Sequence, residues 1–135
     1  MNLDLTVRKL PNSPMINLKL ILLNTTEVQL ASHTVGLCGS DIHFWSDGFI
    51  DKWIVREPVV LGHESSATVV KVGSLVTHLQ VGDRVAVEPG IACLQCRVCK
   101  EGDYNLCPDV LFHGVAPLGG SLRRFYNQSA AFCHK

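Results

Sequence analysis

Four cysteines, Cys93, Cys96, Cys99 and Cys107, stand in the spacing Cys-x2-Cys-x2-Cys-x7-Cys and constrain the fold of this chain more than any other feature. Disulfides between residues three apart are strained, so a set this dense is better suited to a metal than to a covalent framework. Four thiolates complete a tetrahedral zinc shell and leave no position for water or substrate, which makes such a site structural. An iron–sulfur cluster uses the same four ligands and stays open as the other reading. A redox pair needs only two of these thiols, and a nucleic-acid zinc ribbon separates its two cysteine pairs by a long insertion. Gly90, Gly102, Pro89 and Pro108 supply the turns that wrap a short lobe around an ion.

The remainder of the chain limits the surroundings of that lobe. At 135 residues, 47% of them hydrophobic, it makes one compact domain. Twelve basic and twelve acidic residues balance to zero formal charge, which removes the electrostatic footprint of a nucleic-acid or anionic-membrane binder. The start, Met1-Asn2-Leu3-Asp4, lacks a basic signal region, and the apolar stretch Leu18 to Leu23 is broken by Lys19 and too short for a bilayer. Membrane insertion and export are therefore not expected. With thiols clustered as for a reducing compartment, the expected location is the cytoplasm.

Period-2 or β-branched runs at Glu27 to Val35, Ser66 to Val72 and Arg84 to Glu88 predict strands, and Gly73-Ser74 and Gly82-Asp83 predict the turns of a meander. Residues Leu122 to His134 predict further strands. Helical signals are short: a turn capped by Ser40 and running to Trp45, and another over Arg97 to Gly102. The class is mainly β, a small barrel or sandwich.

Upstream of the lobe, Cys38, His63 and Glu64 offer a thiolate, an imidazole and a carboxylate, the mixed donors of catalytic zinc. Their spacing follows no regular metal motif. Read singly, a lone cysteine is a small core residue and a lone His or Glu a packed or solvated side chain.

A longer series of segments resolves this choice. Val35-Gly36-Leu37-Cys38-Gly39-Ser40-Asp41, Gly62-His63-Glu64, Val81 through Gly90, Tyr104-Asn105-Leu106-Cys107, and Arg124-Phe125-Tyr126 to Ala131-Phe132-Cys133 occur in order. In this series the chain resembles the zinc-containing medium-chain alcohol dehydrogenases, most closely their sorbitol (polyol) dehydrogenase branch. The resemblance implies a GroES-like, partly open β-barrel over residues 27–135 with a zinc-binding lobe, preceded by a divergent segment, 1–26. It implies catalytic zinc at Cys38, His63 and Glu64 and structural zinc at Cys93, Cys96, Cys99 and Cys107. Asp41 would hold the ligand histidine, Ser40 would lie near the substrate hydroxyl, and Phe44 and Phe112 would line the substrate cleft.

The implied reaction is NAD-linked oxidation of a polyol secondary alcohol to a ketose. No two glycines stand at i and i+2, so the chain holds no G-x-G-x-x-G of its own. By resemblance the Rossmann domain that binds NAD would follow Lys135, and the chain alone would be incomplete as an enzyme. The alternative is a non-catalytic zinc-binding module or remnant. Phe44 replaces a tyrosine of the family pattern and Val115 a threonine, both removing a hydroxyl from the cleft. The other histidines, His33, His43, His78, His113 and His134, are expected on the surface or in the core. Members of the family are often tetramers, but their interfaces involve the further domain as well, so an oligomer is open to this chain and its state does not carry over from the family.

Overall fold

The computed structural model describes residues 22–135. Residues 1–21, most of the divergent segment 1–26 and of the apolar stretch 18–23, lie outside the described residues. The predicted strands form with small shifts: β1 (Glu27–Gly36), β4 (Glu64–Val72), β5 (Arg84–Val87), β8 (Phe125–Ser129) and β9 (Cys133–His134) make one antiparallel sheet in the order β8-β1-β4-β5-β9. Val28, Leu30, Ala67, Val69, Val85, Val87 and Tyr126 alternate along these strands and meet in the main core.

This sheet has to curl. Strands β8 and β9 occupy opposite edges, yet only the turn Ala130–Phe132 joins them. Four residue steps reach at most about 14 Å, whereas the edges of a flat five-stranded sheet stand roughly 19 Å apart. The connection is closed further by Ala130 N–H donating to Thr26 O (3.1 Å) and Glu88 N–H to Phe132 O (3.0 Å). The mainly β, barrel-like class expected from the sequence is the one observed.

Strand β4 starts two residues before its predicted boundary, because Gly36 at the end of β1 pairs with Glu64. The approach is close: a Cβ on Gly36 would meet Glu64 Cβ at 3.2 Å and would displace the Glu64 carboxylate. After β1 the chain enters α1 (Gly39–Ser46) and a short hairpin of β2 (Phe49–Ile50) with β3 (Trp53–Ile54). Helix α1 is capped by Cys38 and not by Ser40: Asp41, at the third helical position, accepts the Cys38 N–H at 3.0 Å and so sets the start two residues earlier. Phe44 on its inner face packs with Val59 and Leu61 into a second cluster that includes Val115 and Leu122.

The cysteine lobe is inserted between β6 (Gly90–Ile91) and β7 (Leu111–Phe112), which pair with each other and close its base. Helix α2 covers only Arg97–Lys100, shorter than the predicted turn to Gly102, whose φ of 99° ends it. A 3-10 turn at Tyr104–Leu106 leads to Cys107. Ala92, Cys107 and Phe132 form a third cluster with Cys93, Cys96 and Cys99 packed on it, so the lobe is seated on the barrel through β9's approach. No helix among the described residues is long and apolar enough to cross a membrane.

Leu30 is fully buried at the centre of the sheet. Leu30→Ala is expected to lower unfolding stability by about 2–5 kcal/mol, read from urea denaturation. Leu75→Ala, at a position 67% exposed, should change it by less than about 0.5 kcal/mol.

Candidate metal centres

The pairing of Gly36 with Glu64 decides the first centre. Cys38 lies two residues beyond one partner and His63 one residue before the other, so the ends of β1 and β4 deliver both side chains to one place. Ligand atoms of Cys38, His63 and Glu64 all lie within 4.8 Å of one another. A thiolate, an imidazole and a carboxylate are the donor types that bind zinc while leaving a fourth position open, and the separations fit a single ion.

Asp41 organises this centre from below. It is 3% exposed and uses both oxygens: Oδ2 accepts the Cys38 N–H at 3.0 Å and Oδ1 the Gly62 N–H at 2.8 Å. Oδ1 also stands 3.5 Å from His63 Nδ1. One carboxylate thus spans the backbone on both sides of the centre and orients the imidazole between them. His63 Nε2 is left on the cleft side, where Ser40 Oγ lies 3.3 Å away. Gly62 adopts a φ of 89°, and a Cβ there would press on Leu122 Cγ at 2.7 Å and Val35 Cγ1 at 2.8 Å, so no other residue fits this approach to His63.

The second centre is local. All four sulfurs of Cys93, Cys96, Cys99 and Cys107 lie within 4.8 Å of one another, and Cys93 Sγ to Cys99 Sγ is 3.9 Å. Zinc–sulfur bonds of about 2.3 Å in a tetrahedron require sulfur–sulfur edges of about 3.8 Å. The backbone N–H of Gln95, and after it that of Cys96, hold the Cys93 thiol down at about 6, while desolvation, followed by the Cys96 and Cys107 side chains, pushes Cys99 up to about 12. The metal-free lobe therefore keeps protons at neutral pH that a metal must displace.

Beside the first centre is a cleft of about 150 Å³ lined by Ser40, Phe44, Trp53, His63, Phe112 and Val115, among others. Phe112 closes it against His63 with ring centroids 5.6 Å apart. Ser40, Phe44 and Phe112, assigned to the cleft on resemblance, are thus together in it. Trp53 and Ile50, brought over by the β2–β3 hairpin, were not foreseen; an alternating apolar pair in a two-residue hairpin carries no sequence mark of a cleft.

Four of the remaining histidines have ordinary roles. His43 pairs with Asp47 at 3.0 Å, His134 with Glu88 at 3.0 Å, and His78 lies 3.0 Å from Ala130 O. His33 takes no part in either centre. His113 is different: it is 1% exposed, and burial holds its pKa below the ordinary value. Its Nδ1 donates to Gly119 O at 2.9 Å and its Nε2 stands 3.3 Å from Gln128 Oε1.

Two outcomes follow from this geometry. Asp41→Asn would point an amide N–H2 at one of two backbone donors, and is expected to cost about 1–3 kcal/mol in thermal denaturation. Because metal uptake by thiols releases protons, a lobe loaded with zinc should give it up to a chelator faster as pH falls, followed with a metallochromic dye between pH 8 and pH 5.

The alcohol dehydrogenase GroES-like domain family matches residues 24–135. Sorbitol dehydrogenase of Macaca fascicularis is 55% identical over 109 residues, covering 81% of this chain and 30% of that protein. Probable D-xylulose reductase A of Aspergillus terreus is 52% identical over 100 residues, covering 74% of this chain and 28% of its own length. Among solved structures, an Escherichia coli oxidoreductase/dehydrogenase of unknown specificity superposes with a TM-score of 0.75 at 41% identity, covering 84% of this chain and 33% of that one. The chain spans about a third or less of the length of these relatives. With its cleft-side Cys38, His63 and Glu64, its cysteine lobe and its curled sheet, the chain belongs to the alcohol dehydrogenase GroES-like domain family, in the sorbitol dehydrogenase branch, and corresponds to the N-terminal part of those enzymes.

Proposed function

We propose that residues 27–135 are the catalytic domain of a zinc-dependent, NAD-linked dehydrogenase of secondary alcohols of the polyol type, working with a separate nucleotide-binding domain. The observation that carries this reading is the convergence of Cys38, His63 and Glu64 within 4.8 Å at the head of the cleft. The relatives' names, sorbitol dehydrogenase and D-xylulose reductase, supply the substrate class. Cys38, His63 and Glu64 hold one zinc ion, and Cys93, Cys96, Cys99 and Cys107 hold the other. When bound, zinc supplies Lewis-acid activation of an alcohol oxygen, and a nicotinamide cofactor accepts the hydride.

The chain's own groups do the rest. Asp41 keeps His63 in one orientation and protonated on Nδ1, which leaves Nε2 free as a donor of electrons. Ser40 Oγ, at the same edge of the cleft, hydrogen-bonds the substrate hydroxyl and carries its proton outward. Phe44 and Phe112 pack against the carbon skeleton and exclude water, which strengthens the electrostatics at the reacting carbon. Thiols used as ligands suit a reducing compartment, so we place the protein in the cytoplasm.

A second reading, a zinc-binding module without turnover, is favoured by one observation: Phe44 and Val115 line the cleft with no hydroxyl to offer a polyol. Metal and activity measurements separate the two. The intact chain should bind close to two zinc ions, and Cys38→Ser one, with the fold kept. Joined to a nucleotide-binding domain, the metal-loaded protein should reduce NAD with sorbitol or xylitol; two bound ions with no turnover on any secondary alcohol would sink the enzymatic reading and leave the module.

A further inference from the structure

Behind the cleft that His113 also lines, one buried polar network contains no ligand of either metal centre. Gln128 is 1% exposed on β8, and its amide is fixed without ambiguity: Nε2 donates to Glu88 O at 2.7 Å, and Oε1 accepts the Ser129 N–H at 3.1 Å. The His113 Nδ1–H donates to Gly119 O at 2.9 Å, its Nε2 edge lies beside that amide, and its ring stacks edge-on against Tyr126 with centroids 5.3 Å apart. The ring therefore joins the two ends of the segment 113–119 and ties both to the barrel. Arg123 Nη2 also donates to Gly119 O at 3.2 Å.

What the ring holds in place lies against the first centre on two sides. Phe112, directly before it, packs on His63, and a Cβ on Gly114, directly after it, would stand 3.5 Å from His63 Nδ1. Beyond Gly119, Gly120 N–H donates to Val60 O (2.7 Å), Leu122 N–H to Leu61 O (3.0 Å) and Ser121 N–H to Gly62 O (2.8 Å). Residues 120–122 thus pair with the three residues that immediately precede His63. A side chain that fixes residues 113 and 119 at once fixes both the cover over His63 and the backbone leading into it.

We propose that His113 is a positioning residue for the first metal centre: its buried ring, held by Gly119 O and packed edge-on against Tyr126, sets the 112–122 segment so that Phe112 and the Gly114 backbone keep the His63 imidazole in its metal-binding orientation. The proposal rests on the reading that Cys38, His63 and Glu64 bind a metal. A residue that served stability alone would weaken both metal centres together or neither, whereas a positioning residue acts on one.

Cobalt(II) is a suitable probe, since a one-thiolate and a four-thiolate site differ several-fold in sulfur-to-cobalt charge-transfer absorbance and are titrated separately. In the full 135-residue chain, His113→Leu is expected to weaken cobalt at the one-thiolate site by about tenfold or more and to leave the four-thiolate site within about twofold. His113→Asn, which keeps a donor toward Gly119 O, should recover most of the loss. Unchanged affinity at the one-thiolate site in a folded His113→Leu overturns the proposal, as does equal weakening at both sites. If wild type takes cobalt only at the four-thiolate site, the metal reading of Cys38, His63 and Glu64 has failed first, a result distinct from the others. Should His113→Leu not fold, NMR of wild type decides: a slowly exchanging His113 Nδ1–H supports the lock, and a freely exchanging one refutes it.

Discussion

The pairing of Gly36 with Glu64, where the end of β1 meets the start of β4, is the contact on which the rest of the candidate site depends. Antiparallel pairing brings the two chain ends at that edge to within one strand spacing. Cys38 and His63, far apart in sequence, become neighbours because each lies just outside the last paired residue. Val28 and Leu30 bury against Val72 and Val69 and anchor the ladder, which reaches the Gly36–Glu64 end through register shifts at Gln29/Leu30 and Ser32/Thr34. Hydrophobic burial thus sets the distance between polar ligands that contribute little to the core themselves.

Asp41 converts this proximity into a defined geometry. Backbone donors on both sides of the centre, at Cys38 and Gly62, end on one carboxylate that is itself almost fully buried. A buried carboxylate is costly unless its lone pairs are used, and here both oxygens are satisfied by N–H groups before His63 is considered. The arrangement resists rearrangement because moving either strand end strands an acceptor in the interior. The same residue that starts α1 therefore also stiffens the centre, and helix capping and ligand orientation cannot be varied independently.

The two centres differ in what holds them. The cysteine lobe is a loop between paired strands, with few apolar residues of its own and a contact to the barrel through Ala92, Cys107 and Phe132. Its shape depends on turns and on the four sulfurs, which fits a region whose folding is coupled to metal. The first centre is built on the rim of the barrel and in contact with the second apolar cluster, and its geometry is set by backbone pairing around it. Loss of metal should accordingly loosen the lobe while leaving the sheet intact.

Much of this was legible in the residues. The cysteine lobe could be read from spacing because its ligands are close in sequence, and β1, β4 and β5 from β-branched alternation, which is a local property of the strand. Cys38, His63 and Glu64 carried no such spacing, and only the ordered series of family segments named them. The cap of α1 falls at Cys38 and not at Ser40 because Asp41, three residues on, takes the Cys38 N–H, while its other oxygen is held by Gly62 N–H from a distant segment. The role of His113 had no sequence mark at all, since its burial depends on Gln128, 15 residues away, and on the curl that sets β8 beside the 113–119 segment. By itself the sequence determined the strands and the four-cysteine lobe, because these follow from local periodicity and residue chemistry. Tertiary structure alone decided which side chains converge and which are locked in the core, because strand register and sheet closure bring together groups whose separation along the chain carries no regular pattern.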